Sequence, residues 1–154
     1  LLHPFDAGGD PIYAHSKTMV VDDTMVKVGS SNINNRSMRL DTECDLVLVA
    51  SNDDKEQRRR VAHIRNDLVA EHLATDPETV AFTLSTTGSL IRTIDTLAKS
   101  EGRTLRPHQP PALNGLEQWL ADNEVLDPEG PDEMFEAIAH RGLARGFIER
   151  FANR

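Results

Sequence analysis

The chain has 154 residues, a net charge of −8, 38% hydrophobic residues and 27% charged residues. That is a globular balance on the polar side. The longest apolar runs, such as Leu46-Val47-Leu48-Val49-Ala50, fall far short of the roughly 18 residues of a membrane span, and the acidic excess argues against a general nucleic-acid binder. No basic start followed by an apolar stretch is visible, so no secretory signal is read, and the chain lacks an initiator Met. A cytoplasmic location, or a peripheral one at a membrane surface, is expected.

Residues 1–11 hold Pro4, Gly8, Gly9 and Pro11 and read as a loop. Ile12 to Ala14 begins an extended run. Thr18 to Val21 and Met25 to Val28 are β-branched-rich runs separated by Asp22-Asp23-Thr24, the pattern of a β-hairpin. Gly29 to Leu40 is polar and breaks the strand. Glu43 to Ala50 alternates acid and apolar residues, then turns apolar, and reads as a half-buried to buried strand. Cys44, the single cysteine, cannot form an internal disulfide, and its place in this alternation predicts a buried structural thiol.

Asp53 to Leu73 is helical in pattern, with Val61, Ile64, Leu68 and His72 proposed for one face. Asp53, Asp54 and Glu56 sit where the helix dipole favours negative charge. Asp54 with Arg58, and Glu56 with Arg60, have acid-first spacing for ion pairs. The triplet Arg58-Arg59-Arg60 therefore reads as a solvated helix face, with lipid head-group binding as the alternative. Asp76-Pro77-Glu78 starts another helix, Gly88-Ser89 interrupts it, and Leu90 to Lys99 resumes. Residues 102–114, with Gly102, Pro107, Pro110 and Pro111, read as a linker or surface strap. Gly115 to Asp122 could be a short helix carrying Trp119, Asp127 to Asp132 a turn, and Met134 to Phe151 a final helix. The expected divisions are a β-rich part over 1–52, a helical part of the same domain over 53–105, and a linker with helical extension over 106–154.

Residues with chemical potential cluster early. His15, Lys17 and Asp22 form H-x-K-x-x-x-x-D, followed by Gly29-Ser30-Ser31-Asn32 and then Glu43. Residues two apart on a strand share a face, so His15 and Lys17 should project together. An imidazole serves as nucleophile, general base or general acid, and an ammonium beside it suits a phosphate oxygen. The returning strand would deliver Ser30 and Asn32, a hydroxyl and an amide that donate to the remaining phosphoryl oxygens. A carboxylate at Glu43 could bond the far ring nitrogen of His15 and fix its tautomer. A lone H-x-K is common and usually solvated. Six specified positions together are expected by chance on the order of 10⁻⁶ times in such a chain, so chemistry is the better reading.

The run YAHSKTMVVDDTMVKVGSSNINNRSMRLDTECDL resembles the second HKD motif of the phospholipase D superfamily, with particular similarity to bacterial two-motif phospholipases D and cardiolipin synthase-like proteins. The likeness is strong over residues 12–50, weaker to Arg106 and faint beyond. It implies an α/β fold, a mixed sheet sandwiched by helices, with a helical C-terminal extension here. It implies two halves sharing one site, a phosphohistidine intermediate and no metal or other cofactor. His15 would be the catalytic His of its half, acting as general acid and base. Lys17 and Asn32 would hold the phosphoryl group with Ser30 assisting, and Glu43 would orient His15. Asp22 belongs to the motif but sits at a turn, which suggests a structural bond. Arg36 and Ser37 are read as loop anchors.

No other His has Lys two residues later, so the chain supplies half a site. Its partner is expected to be a second HKD half, either in the intact chain, of which this would be a fragment, or in a homodimer mate. The implied substrate is a phospholipid, with hydrolysis or phosphatidyl transfer as the reaction. The alternatives are an HKD-type nuclease working as a homodimer and an inactive phosphate-binding remnant. The paucity of aromatics disfavours the nuclease.

Overall fold

The computed structural model describes residues 1–122 and Asp127. It is α/β and divides into two units, one of residues 1–29 and 45–110, the other of residues 30–44 and 111–154.

In the first unit, β-branched runs flank a turn and close a hairpin. Strand β2 (Lys17–Val21) pairs antiparallel with β3 (Met25–Gly29), from Lys17↔Gly29 to Val21↔Met25. Asp22, at the first turn position, takes a left-handed φ of 49°, a conformation that Asp tolerates better than most residues. Strand β4 (Asp45–Val49) adds to β3, from Gly29↔Asp45 to Met25↔Val49. Lys17, Gly29 and Asp45 thus form one row across the sheet. The order is β2-β3-β4, so β4 is an edge strand. All its residues are exposed, Leu46 at 77% and Val49 at 68%. This corrects the buried strand expected from its apolar run: neither a fourth strand nor a helix covers it among the described residues.

A second, two-stranded sheet joins β1 (Leu2–Phe5) to β5 (Thr104–Pro107), antiparallel, from Leu2↔Pro107 to Phe5↔Thr104. Sequence reading expected a loop and a strap here. Pro4 and Pro107 hide the strands locally, and pairing partners a hundred positions apart leave no local signature. The Arg106 guanidinium lies 4.3 Å from the Phe5 ring centroid and the His3 ring is 5.5 Å from it, a cross-strand cluster that fixes the register. Ile12 to Ala14, expected to be extended, is not a strand; Pro11 makes only an isolated bridge to Phe5.

Helix α1 (Lys55–Leu73) starts at Asp54, whose side chain accepts from the Glu56 and Gln57 N–H groups at 3.1 and 2.9 Å. Those bonds satisfy two of the donors that a helix start leaves free. With Asp54 used as cap, Arg58 pairs with Asp23 instead, whereas Arg60 pairs with Glu56 at 3.1 Å as expected. Helix α2 (Pro77–Thr87) is capped by Asp76 and ends at Gly88, with φ 64°, and α3 (Leu90–Leu97) is capped by Ser89. The core gathers Val61, Ala70 and Leu73 of α1 with Val80, Ile94 and Thr104. The buried stripe of α1 is Val61, Asn66, Ala70 and Leu73, while Ile64 and Leu68 are 39% and 38% exposed. The proposed face therefore holds only at Val61. An Asn and an Ala carry the true stripe, and neither stands out in a hydrophobic pattern. Among the described residues no helix is long and apolar enough to cross a membrane.

In the second unit, a short π-helix (Arg36–Leu40) interrupts the polar segment. Helix α4 (Gly115–Asp122) carries Trp119 as expected. Its entry is a capping box: Asn114 Oδ1 accepts from Leu116 and Glu117 N–H, and Glu117 returns a carboxylate to Asn114 N–H at 2.8 Å. Apart from Asp127, the expected turn and the helix from Met134 to Phe151 lie outside the described residues.

Candidate active site

The sheet row of Lys17, Gly29 and Asp45 organises the motif. His15 precedes Lys17 by two residues, Ser30 follows Gly29, and Glu43 precedes Asp45 by two. The motif residues thus occupy strand ends and loops, where a rigid sheet commonly presents chemistry.

In the first unit, Lys17 opens β2 and is half-buried, while His15 lies on the preceding non-strand segment and is exposed. The strand alternation expected to align the two does not extend to His15. A different contact brings them together: the Lys17 ammonium donates to the His15 carbonyl at 2.8 Å. The His15 ring lies 5.9 Å from the Tyr13 ring. One face of the sheet holds a further pair that the motif did not flag, Lys27 Nζ with Asp45 at 3.2 Å. Its signal was the two-residue step from Lys27 to Gly29. Asp22 is exposed, and its backbone carbonyl accepts from Arg65 Nη1 at 2.8 Å.

Next to it, Asp23 takes both arms of Arg58: Nε to Oδ2 at 2.9 Å and Nη2 to Oδ1 at 2.7 Å. The Arg58 bond, assisted by its charge, holds the Asp23 carboxyl below the ordinary aspartate range and raises Arg58 in turn. This pair was not foreseen, because its members are far apart in sequence.

In the second unit, Ser30 and Glu43 meet. Ser30 Oγ donates to Glu43 Oε2 at 2.5 Å and accepts from Cys44 N–H at 3.0 Å, while Ser30 N–H donates to the Cys44 carbonyl at 3.1 Å. Sequence reasoning had paired Glu43 with His15 and missed the Ser30 bond. Cys44 is exposed, which corrects the buried thiol: it flanks the exposed edge strand. Asn32 is exposed. Arg36 is anchored as expected, with Nε and Nη2 on Asp41 at 3.2 and 2.9 Å, and the Asp41 bond raises its pKa. Asp127 takes the backbone N–H groups of Asn35 and Arg36 at 3.0 and 2.9 Å, a fastening the sequence pattern did not reveal. Ser37 N–H donates to Asn34 Oδ1. Among the described residues no group of His, Cys, Asp and Glu is placed to hold a metal ion.

The α/β scaffold carries the H-x-K at the head of a hairpin. The family model described as Phospholipase D matches residues 7–115, and the chain belongs to that family. It is similar to "Phospholipase D" of Phytophthora infestans, 39% identical over 77 residues, covering 44% of this chain and 4% of that protein. It is similar to "Phospholipase D beta 2" of Arabidopsis thaliana, 31% identical over 117 residues, covering 68% of this chain and 12% of the relative. "Phospholipase D alpha 4" of Arabidopsis thaliana is 30% identical over 121 residues, covering 77% of this chain and 14% of the relative. The chain therefore spans a small part of the relatives it matches. Those relatives are eukaryotic, whereas the motif had pointed to bacterial proteins. No solved structure matches.

Proposed function

We propose that this chain supplies one half of a phospholipase D-type active site, with His15 as its catalytic imidazole. In this reading a histidine from a second HKD half attacks phosphorus. An N–P bond forms, the P–O bond to the leaving alcohol breaks, and His15 gives its proton to the departing oxygen. His15 then takes a proton from water or an acceptor alcohol, whose oxygen attacks phosphorus and breaks the N–P bond. Lys17 and Asn32 hold the non-bridging oxygens where negative charge develops, with Ser30 assisting. Glu43 positions His15 or, through its recorded bond, Ser30. The substrate class is a phosphatidyl ester, giving phosphatidate by hydrolysis or a new phosphatidyl ester by transfer.

The observation that carries the reading is the 2.8 Å bond from Lys17 to the His15 backbone, inside the stretch matched by the family. It holds the Lys17 ammonium at the backbone of the residue that bears the one imidazole of the motif. The requirement for a second half draws support from the exposed sheet. Val28, Leu46 and Leu48, in register on one face, are 52%, 77% and 45% exposed, an apolar surface of the kind that marks association.

The test is turnover of fluorescent phosphatidylcholine, beside single-stranded DNA, with the chain alone and with the motif-bearing first half of a relative added. Lipid turnover that needs both halves and vanishes in His15→Ala is expected. Turnover unchanged by His15→Ala would remove the mechanism, and DNA cleavage alone would replace the substrate class.

A further inference from the structure

In the basic triplet of α1, Arg59 and Arg60 keep the solvated face expected, 76% and 75% exposed on their side chains, while Arg58 turns to Asp23. Arg60 is committed to Glu56 at 3.1 Å, and Arg58 to Asp23 through two bonds. Arg59 is 76% exposed on its side chain, touching Glu56 only at 3.5 Å and the Lys55 carbonyl at 3.2 Å. Lys55 has no recorded ion pair or side-chain hydrogen bond among the described residues. These groups border an open cleft of about 490 Å³ lined by Asp23, Asn52, Lys55, Arg58, Arg59 and Ala62.

The cleft's charge is decided by what its members already do. Asp23 is neutralised by Arg58, whose guanidinium keeps donors beyond the two bonds it makes. Asp54 spends its carboxylate on backbone N–H groups of α1, and Glu56 takes Arg59 and Arg60; neither lines the cleft. Lys55 and Arg59 are left as cations with free donors, and Asn52 adds a neutral side-chain amide. The lining itself holds three cations, Lys55, Arg58 and Arg59, to one carboxylate, Asp23.

The cleft is also apart from His15 and Lys17. It sits at the turn end of the hairpin, and β2 from Lys17 to Val21 spans about 13 Å at the usual strand rise. From this geometry we infer that the cleft is a second, non-catalytic anion site that takes a phosphate group, on a lipid head group or on a soluble phosphate compound. Arg59 supplies a planar fork, Lys55 a point charge and Arg58 its remaining N–H groups, a set suited to a dianion with three oxygens. The inference does not depend on the motif being active.

The experiment titrates the ¹⁵N-labelled full chain with inorganic phosphate, against sodium chloride of matched ionic strength. Saturable shifts confined to Asp23 and residues 52–62 are expected. Lys55→Gln with Arg59→Gln should weaken binding by about tenfold, as for loss of roughly 1.4 kcal/mol, while Arg60→Gln should change it little. If the double variant loses the α1 resonances, Lys55→Gln alone replaces it, since that ammonium makes no ion pair or hydrogen bond among the described residues. Co-sedimentation with phosphatidylcholine vesicles carrying phosphatidate then separates the sources. Binding lost in the double variant assigns a lipid head group, and phosphate binding without sedimentation assigns a soluble compound. Shifts reproduced by chloride, a double variant that titrates like the wild type, or an equal loss in Arg60→Gln would overturn the site.

Discussion

Arg58 Nη2 lies 2.7 Å from Asp23 Oδ1, with Nε 2.9 Å from the other carboxylate oxygen. One turn into α1, this fork ties the helix to the tip of the hairpin, and Arg65 adds a bond to the Asp22 carbonyl at 2.8 Å. The hairpin's register carries Lys17 at its far end. The helix thus steadies the strand that begins in the motif.

The fork makes stability depend on pH with a definite sign. The Asp23 carboxyl is held below its ordinary value by the Arg58 hydrogen bond, and Asp76 is lowered by its bonds to Thr79. A depressed carboxylate contributes stability that is fully present above the unfolded value, about 3.9. That contribution is lost as pH falls through the lower, folded value. Thermal melts from pH 7 down to pH 2 should therefore show the wild type losing its advantage over Asp23→Asn only below about pH 4. A gap between the two that is constant across this range would mean the carboxylate charge is not what matters.

The core prediction concerns which stripe of α1 is buried. Leu73 is fully buried, so Leu73→Ala should cost roughly 2–5 kcal/mol in denaturant unfolding. Ile64→Ala and Leu68→Ala, at partly exposed positions, should each cost much less. Equal losses at Leu68 and Leu73 would return the helix to the face expected from apolar spacing.

That contrast shows what was legible in the sequence. The hairpin and the Asp76–Gly88 helix could be read because caps, turns and β-branched runs are local signals, whereas α1 begins two residues later than expected, with Asp54 as its cap. The α1 face could not be read, because Asn66 and Ala70 are buried by tertiary contact and not by hydropathy. The β1–β5 sheet was invisible because pairing between strands about a hundred positions apart has no local mark. At the candidate site, the residue types of His15, Lys17, Ser30, Asn32 and Glu43 were legible from spacing. Their bonds were not: Lys17 turns to a backbone carbonyl and Ser30 to Glu43. The Arg58–Asp23 and Asp127–Arg36 contacts depend on the folded path of the chain alone.

The Ser30–Glu43 bond yields a test of Glu43. In the two-half assembly proposed above, Glu43→Gln should lower turnover and shift the pH optimum if the carboxylate positions His15. If Glu43 instead serves Ser30, then Ser30→Ala and Glu43→Gln should be non-additive, with a coupling of about 1 kcal/mol in transition-state stabilisation, and the pH profile should keep its wild-type shape. The two outcomes distinguish positioning of the histidine from positioning of the hydroxyl.

Asp22 is the motif member whose role the backbone best explains. Its φ of 49° lies in the left-handed region, and its recorded bond uses the carbonyl, not the carboxylate. Asn adopts that region at least as readily as Asp, so Asp22→Asn should keep both the fold and turnover close to wild type. Asp22→Val places a β-branched side chain there and should destabilise the chain by about 1–2 kcal/mol, lowering turnover through the register of Lys17. Melting temperatures and phosphatidylcholine turnover of the two variants decide the matter. Turnover lost in a fully folded Asp22→Asn protein would mean that the carboxylate takes part in the chemistry, because shape is kept while its charge and one acceptor oxygen are removed.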